Sequence, residues 1–198
     1  MNERQPLSKL QSFVNLMTAF AKVERVYKFP GTERRENDQE HSYLLAMTAW
    51  YLIESNGLSL TLEKVLRYAL AHDVVEVYAG DTYIYSTDEG QLSSKPAREE
   101  AAAEQLKTEY PEFKGLHMAL TAYVRREETE ARFVYALDKI LPLLLIYSDG
   151  GRSWREHGVT LEMLVSNKTE KVAISPDIQP YFDDLVEILS NNEKEIFG

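Results

Sequence analysis

Along this chain apolar residues recur at spacings of three and four, and proline, glycine or asparagine interrupts most of the runs that do so. Leu7, Leu10, Phe13, Val14, Met17, Phe20, Ala21 and Val23 predict an amphipathic helix between residues 7 and 26, ended by Pro30 and Gly31. A loop running to Asp38 or Gln39 follows, dense in charge at Glu33, Arg34, Arg35, Glu36 and Asp38. From Glu40 to Ser55, Leu44, Leu45, Met47, Ala49, Tyr51, Leu52 and Ile53 surround much of a helix, which predicts a central one closed by Asn56 and Gly57. After Thr61 and Lys64, half of a capping box, Leu62, Val65, Leu66, Ala69 and Leu70 predict a third helix that delivers His72 and Asp73 near its end.

Thr82 to Ser94 is polar, aromatic and weakly periodic, the pattern of a long loop at a lid or rim. Lys95 and Pro96 begin an alanine-rich helix reaching about Tyr110, since proline suits a first turn and alanine is the best helix former. Further helices are predicted near Leu116 to Arg126, Glu130 to Tyr147, Thr160 to Asn167 and Asp177 to Asn191. No strand alternation stands out, so the fold class is all-α, a single compact helical bundle of about seven or eight helices. One domain spans residues 1–198, its last helices forming a C-terminal extension, with no repeat or interdomain linker.

Composition narrows the chemistry. At 198 residues, 44% hydrophobic and 27% charged, the chain supports one self-sufficient core. The longest apolar run, Ile140 to Ile146, falls far short of the ~18–20 residues that span a bilayer. Met1-Asn2-Glu3-Arg4-Gln5 lacks the basic start and apolar block of a secretory signal, so a cytoplasmic protein without membrane association is expected. The absence of cysteine excludes disulfides, thiolate metal sites and a cysteine nucleophile. With 22 Lys and Arg against 32 Asp and Glu, the net charge of −10 repels nucleic acid polymers. A small phosphorylated ligand beside a cation remains compatible, because a metal ion reverses the local field.

Two of the four histidines adjoin carboxylates, as Glu40-His41 and His72-Asp73. Imidazole and carboxylate are the donors that suit Mn²⁺, Co²⁺, Fe²⁺ or Zn²⁺ when thiolates are absent. Adjacent helical residues project about 100° apart, so His72 and Asp73 reach one ion only at a helix end or distortion. Glu76 returns to the same face one turn on. A histidine hydrogen-bonded to a neighbouring acid within a core fits the same spacing, and spacing leaves both readings open. His117 and His157 read as ordinary packing or surface residues, Arg125 to Glu128 as a solvated helix end, and Gly150-Gly151-Arg152 as a turn.

The ordered series Glu40-His41-Ser42, His72-Asp73 with Glu76 and Gly80-Asp81, then Leu137-Asp138-Lys139 resembles the HD-domain superfamily of metal-dependent phosphohydrolases, across roughly residues 8 to 150. More narrowly it is similar to the branch containing bacterial 5′-deoxynucleotidases, where EHS, HDxxExxxGD and a later Asp recur. The resemblance implies that His41, His72, Asp73 and Asp138 bind one divalent ion (Mn²⁺, Co²⁺, Fe²⁺, Mg²⁺ or Zn²⁺), while Glu76 and Asp81 exchange protons and position water. It also implies that Arg25, at the end of the first helix, contacts the substrate. Val26 stands where those enzymes carry a tryptophan, and the following loop is one residue longer. The implied reaction converts (deoxy)nucleoside 5′-monophosphates to nucleosides and phosphate, in a homodimer. The alternatives are hydrolysis of a triphosphate, a cyclic nucleotide or guanosine tetraphosphate, or a catalytically silent nucleotide-binding module. Tyr83 and Tyr85 beside Asp81 fit either a binding or a packing role.

Overall fold

Eleven helices and one short hairpin are seen in the computed structural model, which describes residues 5–86 and 88–198. The reading of Met1 to Arg4 and the position of Thr87 lie outside the described residues. In chain order the elements are α1 (Gln5–Phe20), β1 (Glu24–Lys28), β2 (Arg35–Asn37), α2 (Asp38–Asn56), α3 (Leu62–Ala71), α4 (Glu76–Ala79) and α5 (Glu89–Glu109). They continue with α6 (Lys114–Arg125), α7 (Thr129–Ser148), α8 (Arg152–Glu156), α9 (Leu161–Val172), α10 (Gln179–Asn191) and α11 (Glu193–Phe197). The all-α reading holds, and the longer helices correspond to the periodic stretches of the sequence.

The hairpin corrects the sequence reading. α1 ends at Phe20, and the chain then extends so that β1 pairs antiparallel with β2, Glu24 opposite Asn37 and Lys28 opposite Arg35. Arg25 therefore projects from a strand rather than from a helix end. Strands of five and three residues are too short to display alternation. Asn37 ends β2 and caps α2 at once: its side chain accepts from the Glu40 amide while the Glu40 carboxylate accepts from the Asn37 amide. Gly57, at φ 61°, closes α2 in the left-handed region that glycine tolerates best.

α7, rather than α2, is the central helix. It buries Phe133, Val134, Leu137 and Ile140 almost completely, while α2 leaves Tyr43 and Tyr51 exposed at 64% and 69%. Each such buried side chain contributes about 1.5–3 kcal/mol. Pro142 lies inside α7 and has no amide hydrogen, so the Asp138 carbonyl four residues earlier is denied its usual helical donor. α5 likewise begins at Glu89, capped by Asp88, and takes Pro96 into its interior, so the predicted 82–94 loop gives way to helix from residue 89. Arg98 holds the segment before it, donating to Thr82 Oγ1 at 2.7 Å and to the Ala79 carbonyl.

At the C-terminal end Trp154 stacks on Phe197 with ring centroids 4.9 Å apart. Gly151, at φ 78°, lies so close to Ile196 that a Cβ there would collide with the Ile196 carbonyl. No helix among the described residues is long and apolar enough to cross a membrane.

Candidate metal centre

Three elements converge on one buried point. α2 brings His41 in its first turn, α3 ends so that His72 is its C-cap, and α7 supplies Asp138. Asp73 follows in the turn before α4, which supplies the helix end that an adjacent His-Asp pair requires. His41 Nε2 lies 2.9 Å from Asp138 Oδ1, and His72 Nε2 lies 3.0 Å from Asp73 Oδ2 and 3.7 Å from Asp138 Oδ1.

The hydrogen bonds around the imidazoles show what these atoms face. His72 Nδ1 donates to the Ala69 carbonyl at 2.9 Å, which leaves the Nε2 lone pair aimed at carboxylate oxygens. That Nε2 is buried without a hydrogen-bond partner. His41 Nδ1 lies 3.6 Å from Glu36 Oε2, and Tyr27 donates its hydroxyl to the same oxygen. A carbonyl that accepts from the ring fixes His72 as a metal-binding imidazole requires, while behind His41 the Glu36 carboxylate stands at ion-pair distance without a hydrogen bond. Ligand atoms of His41, His72 and Asp73 lie within 4.8 Å of one another. Nitrogen and carboxylate donors without thiolate fit a divalent ion of the Mn²⁺ to Zn²⁺ series. Burial draws the His72 imidazolium down, but Asp73 and Asp138 together outweigh it and push its pKa up to about 10.

A ring of charged groups surrounds this point. Arg25 Nη1 reaches Asp73 Oδ2 at 3.0 Å and Asp38 Oδ1 at 3.3 Å. Lys139 binds Asp138 Oδ2 at 2.5 Å, and Tyr123 donates to the same oxygen at 3.2 Å. Burial raises the Asp138 carboxyl, but Lys139, His41 and His72 together outweigh it and hold that group well below the usual range. Glu76 is 3% exposed; its Oε1 is 3.4 Å from Lys95 Nζ and its Oε2 is buried without a partner. Burial, then repulsion from Asp73 and Asp38, pushes Glu76 up to about 10. Burial likewise raises Asp81 and lifts Asp38 to about 6.

Arg25, Asp73, Glu76, Asp81 and Asp138 line a single cavity, so the structure brings the residues singled out in the sequence together, with His41 and His72 behind it. His117 is remote from it and accepts a packing role, its Nε2 2.8 Å from the Tyr110 carbonyl. His157, read as a packing or surface residue, lines the cavity instead, with Tyr83 5.3 Å from its ring. Sequence reasoning missed Asp38 and Glu36, both fully buried, and the cavity lysines Lys95, Lys139 and Lys168. For Lys168 a signal existed: it falls in phase with Leu161, Leu164 and Val172 on the buried face of α9. Arg126, in the cluster read as a solvated helix end, caps α6 at φ 52°.

An all-helical bundle with a histidine–aspartate centre defines a class of protein, and comparison with known proteins names it. Residues 21–179 match the HD domain family, and the chain belongs to it. A solved structure from Magnetospirillum magnetotacticum, described as a predicted metal-dependent phosphohydrolase, is 30% identical with a TM-score of 0.82, covering 97% of this chain and 98% of that one. An HD-domain phosphohydrolase from Listeria innocua shares the fold at 14% identity and TM-score 0.60, covering 92% and 99%. A protein from Pyrococcus horikoshii does so at 20% and 0.64, covering 93% and 98%. No curated protein sequence matches the chain significantly.

Proposed function

We propose that the protein hydrolyses phosphomonoesters, with nucleoside 5′-monophosphates, deoxynucleotides foremost, as its substrates. The observation that carries this reading is the unpartnered His72 Nε2 between oxygens of Asp73 and Asp138, with the unpartnered Glu76 Oε2 on a residue that lines the same cavity as those two aspartates.

In this reading His41, His72, Asp73 and Asp138 would hold one divalent ion. Such an ion, when bound, supplies Lewis-acid polarisation of the phosphoryl group and lowers the pKa of a nearby water. Burial, then repulsion from Asp73 and Asp38, favours the protonated form of Glu76; a bound ion would offset the Asp73 charge and so remove part of that penalty, and the Glu76 carboxylate is the group that takes a proton from the attacking water. Asp81, on the same cavity wall, orients that water. Arg25, held by Asp73 and Asp38, offsets charge on the phosphoryl oxygens through charge-assisted hydrogen bonds. The nucleoside portion is supported by the remaining wall, where Val26, Ile84, Leu143 and Trp154 are apolar and Tyr83 and Tyr85 present rings.

Metal-free protein supplied separately with Mn²⁺, Co²⁺, Mg²⁺ and Zn²⁺ tests the reading on a panel of nucleoside mono- and triphosphates, cyclic nucleotides and guanosine tetraphosphate. Phosphate release is expected to be fastest from the monophosphates. Faster turnover of another class, or release from none, overturns it.

A further inference from the structure

Lys168 occupies a position that α9 otherwise gives to aliphatic side chains, since Leu161, Leu164 and Val172 are its buried companions. It is 5% exposed and lines the catalytic cavity. The other cavity cations are each matched by acids. Arg25 lies against Asp73 and Asp38, Lys139 against Asp138, and Lys95 against Glu76 and Glu99 at 3.4 and 3.2 Å. The Lys168 ammonium makes no side-chain hydrogen bond or ion pair with any described residue. Burial, with repulsion from Lys139 added, pulls its ammonium down to about 7. A leucine or methionine would fill this place without that desolvation cost, so the amine has no structural reason to be here. An anion entering the cavity supplies the missing partner, and the group that this class of enzyme must admit is a phosphoryl group.

We propose that Lys168 is a substrate-binding residue, whose ammonium takes the nonbridging oxygens of the phosphoryl group and makes inorganic phosphate a product inhibitor. The proposal deepens the phosphomonoesterase reading and rests on it. Its test uses inorganic phosphate as the probe on Mn²⁺-loaded protein, by calorimetry and by inhibition of turnover. Lys168→Met is expected to weaken phosphate binding and raise KM at least tenfold, while Mn²⁺ affinity changes less than twofold. Lys168→Arg is expected to recover part of both losses. Phosphate binding and KM unchanged in Lys168→Met, or no phosphate binding by the native protein, overturn the proposal.

Should Lys168→Met not fold, limiting acetic anhydride on the native protein decides, read by peptide mass spectrometry. Saturating phosphate is expected to slow acetylation of Lys168 at least fivefold and to leave Lys171 unaffected; equal labelling with and without phosphate overturns the role. The probe keeps the two readings apart. Phosphate held through Lys168 in a protein that releases phosphate from no nucleotide sinks the nucleotide reading alone. Nucleotide turnover with Lys168→Met unchanged sinks the lysine's role alone.

Discussion

Glu76→Gln separates what the site costs from what it does. The carboxyl is pushed from 4.5 up to about 10 by burial, then by Asp73 and Asp38. A group that holds its proton more tightly when folded stabilises fully below its unfolded value and loses that stability as pH rises toward the folded one. Between those limits each pH unit costs about 1.4 kcal/mol, so at pH 7 the wild-type, ion-free protein forgoes about 3 kcal/mol. That figure holds as long as the folded value exceeds 7, and it is a sizeable part of the ~5–15 kcal/mol that keeps a domain folded. Glutamine has the same shape and no proton to exchange. In urea titrations after EDTA treatment, the stability gap between Glu76→Gln and wild type should widen from about 1 kcal/mol at pH 5 to about 5 kcal/mol at pH 8. Turnover in the metal-loaded variant should fall about 10²–10⁴-fold. A stability gap that does not change with pH refutes the reasoning, whatever happens to activity.

Ion binding must displace the proton that the ion-free site holds on His72, whose pKa is pushed up to about 10 by Asp73 and Asp138 against the pull of burial. Mn²⁺ affinity should therefore rise at least tenfold per pH unit between pH 7 and 9, with at least one proton released per ion, counted by calorimetry in buffers of different ionisation enthalpy; no proton release contradicts this. Glu36 sits behind His41 Nδ1 at 3.6 Å, so Glu36→Ala should weaken Mn²⁺ binding about 10–100-fold in equilibrium dialysis, and unaltered affinity removes its supporting role. Gly151→Ala would push a Cβ into the Ile196 carbonyl at a backbone φ of 78°. It should cost about 1–3 kcal/mol in thermal denaturation and expose residues 193–197 to carboxypeptidase; a native melting curve and native resistance refute it.

The long helices were legible because each carries an apolar stripe with a period near 3.6 over ten residues or more, which survives local irregularity. The hairpin was not, since only Tyr27 in β1 is buried and the pairing that creates the strands, Glu24 with Asn37 and Lys28 with Arg35, joins residues on either side of an intervening loop. Among site residues, the histidines and Asp73 stood out through rarity and order in the chain. Glu36 and Asp38 did not, because they lie in a run of charge that reads as solvated until the hairpin folds it against Arg25 and Tyr27. Lysines hide for another reason: on a helix they are ordinary surface residues, and only the phase of Lys168 with Leu164 and Val172 marks it as inward-facing.

The two prolines inside helices have a bearing on engineering this protein for heat tolerance. A search for weak points by local rules would select Pro96 and Pro142 first, since removing an interior helix breaker promises gains of up to about 3 kcal/mol each. Pro142 forms part of the cavity wall one turn beyond Asp138, and Pro96 follows Lys95, which faces Glu76. The easiest repairs thus fall on the segments that build the candidate site. Thermostable variants built from surface changes or cap improvements are expected to keep their turnover, whereas those built from Pro142→Ala or Pro96→Ala trade it for rigidity.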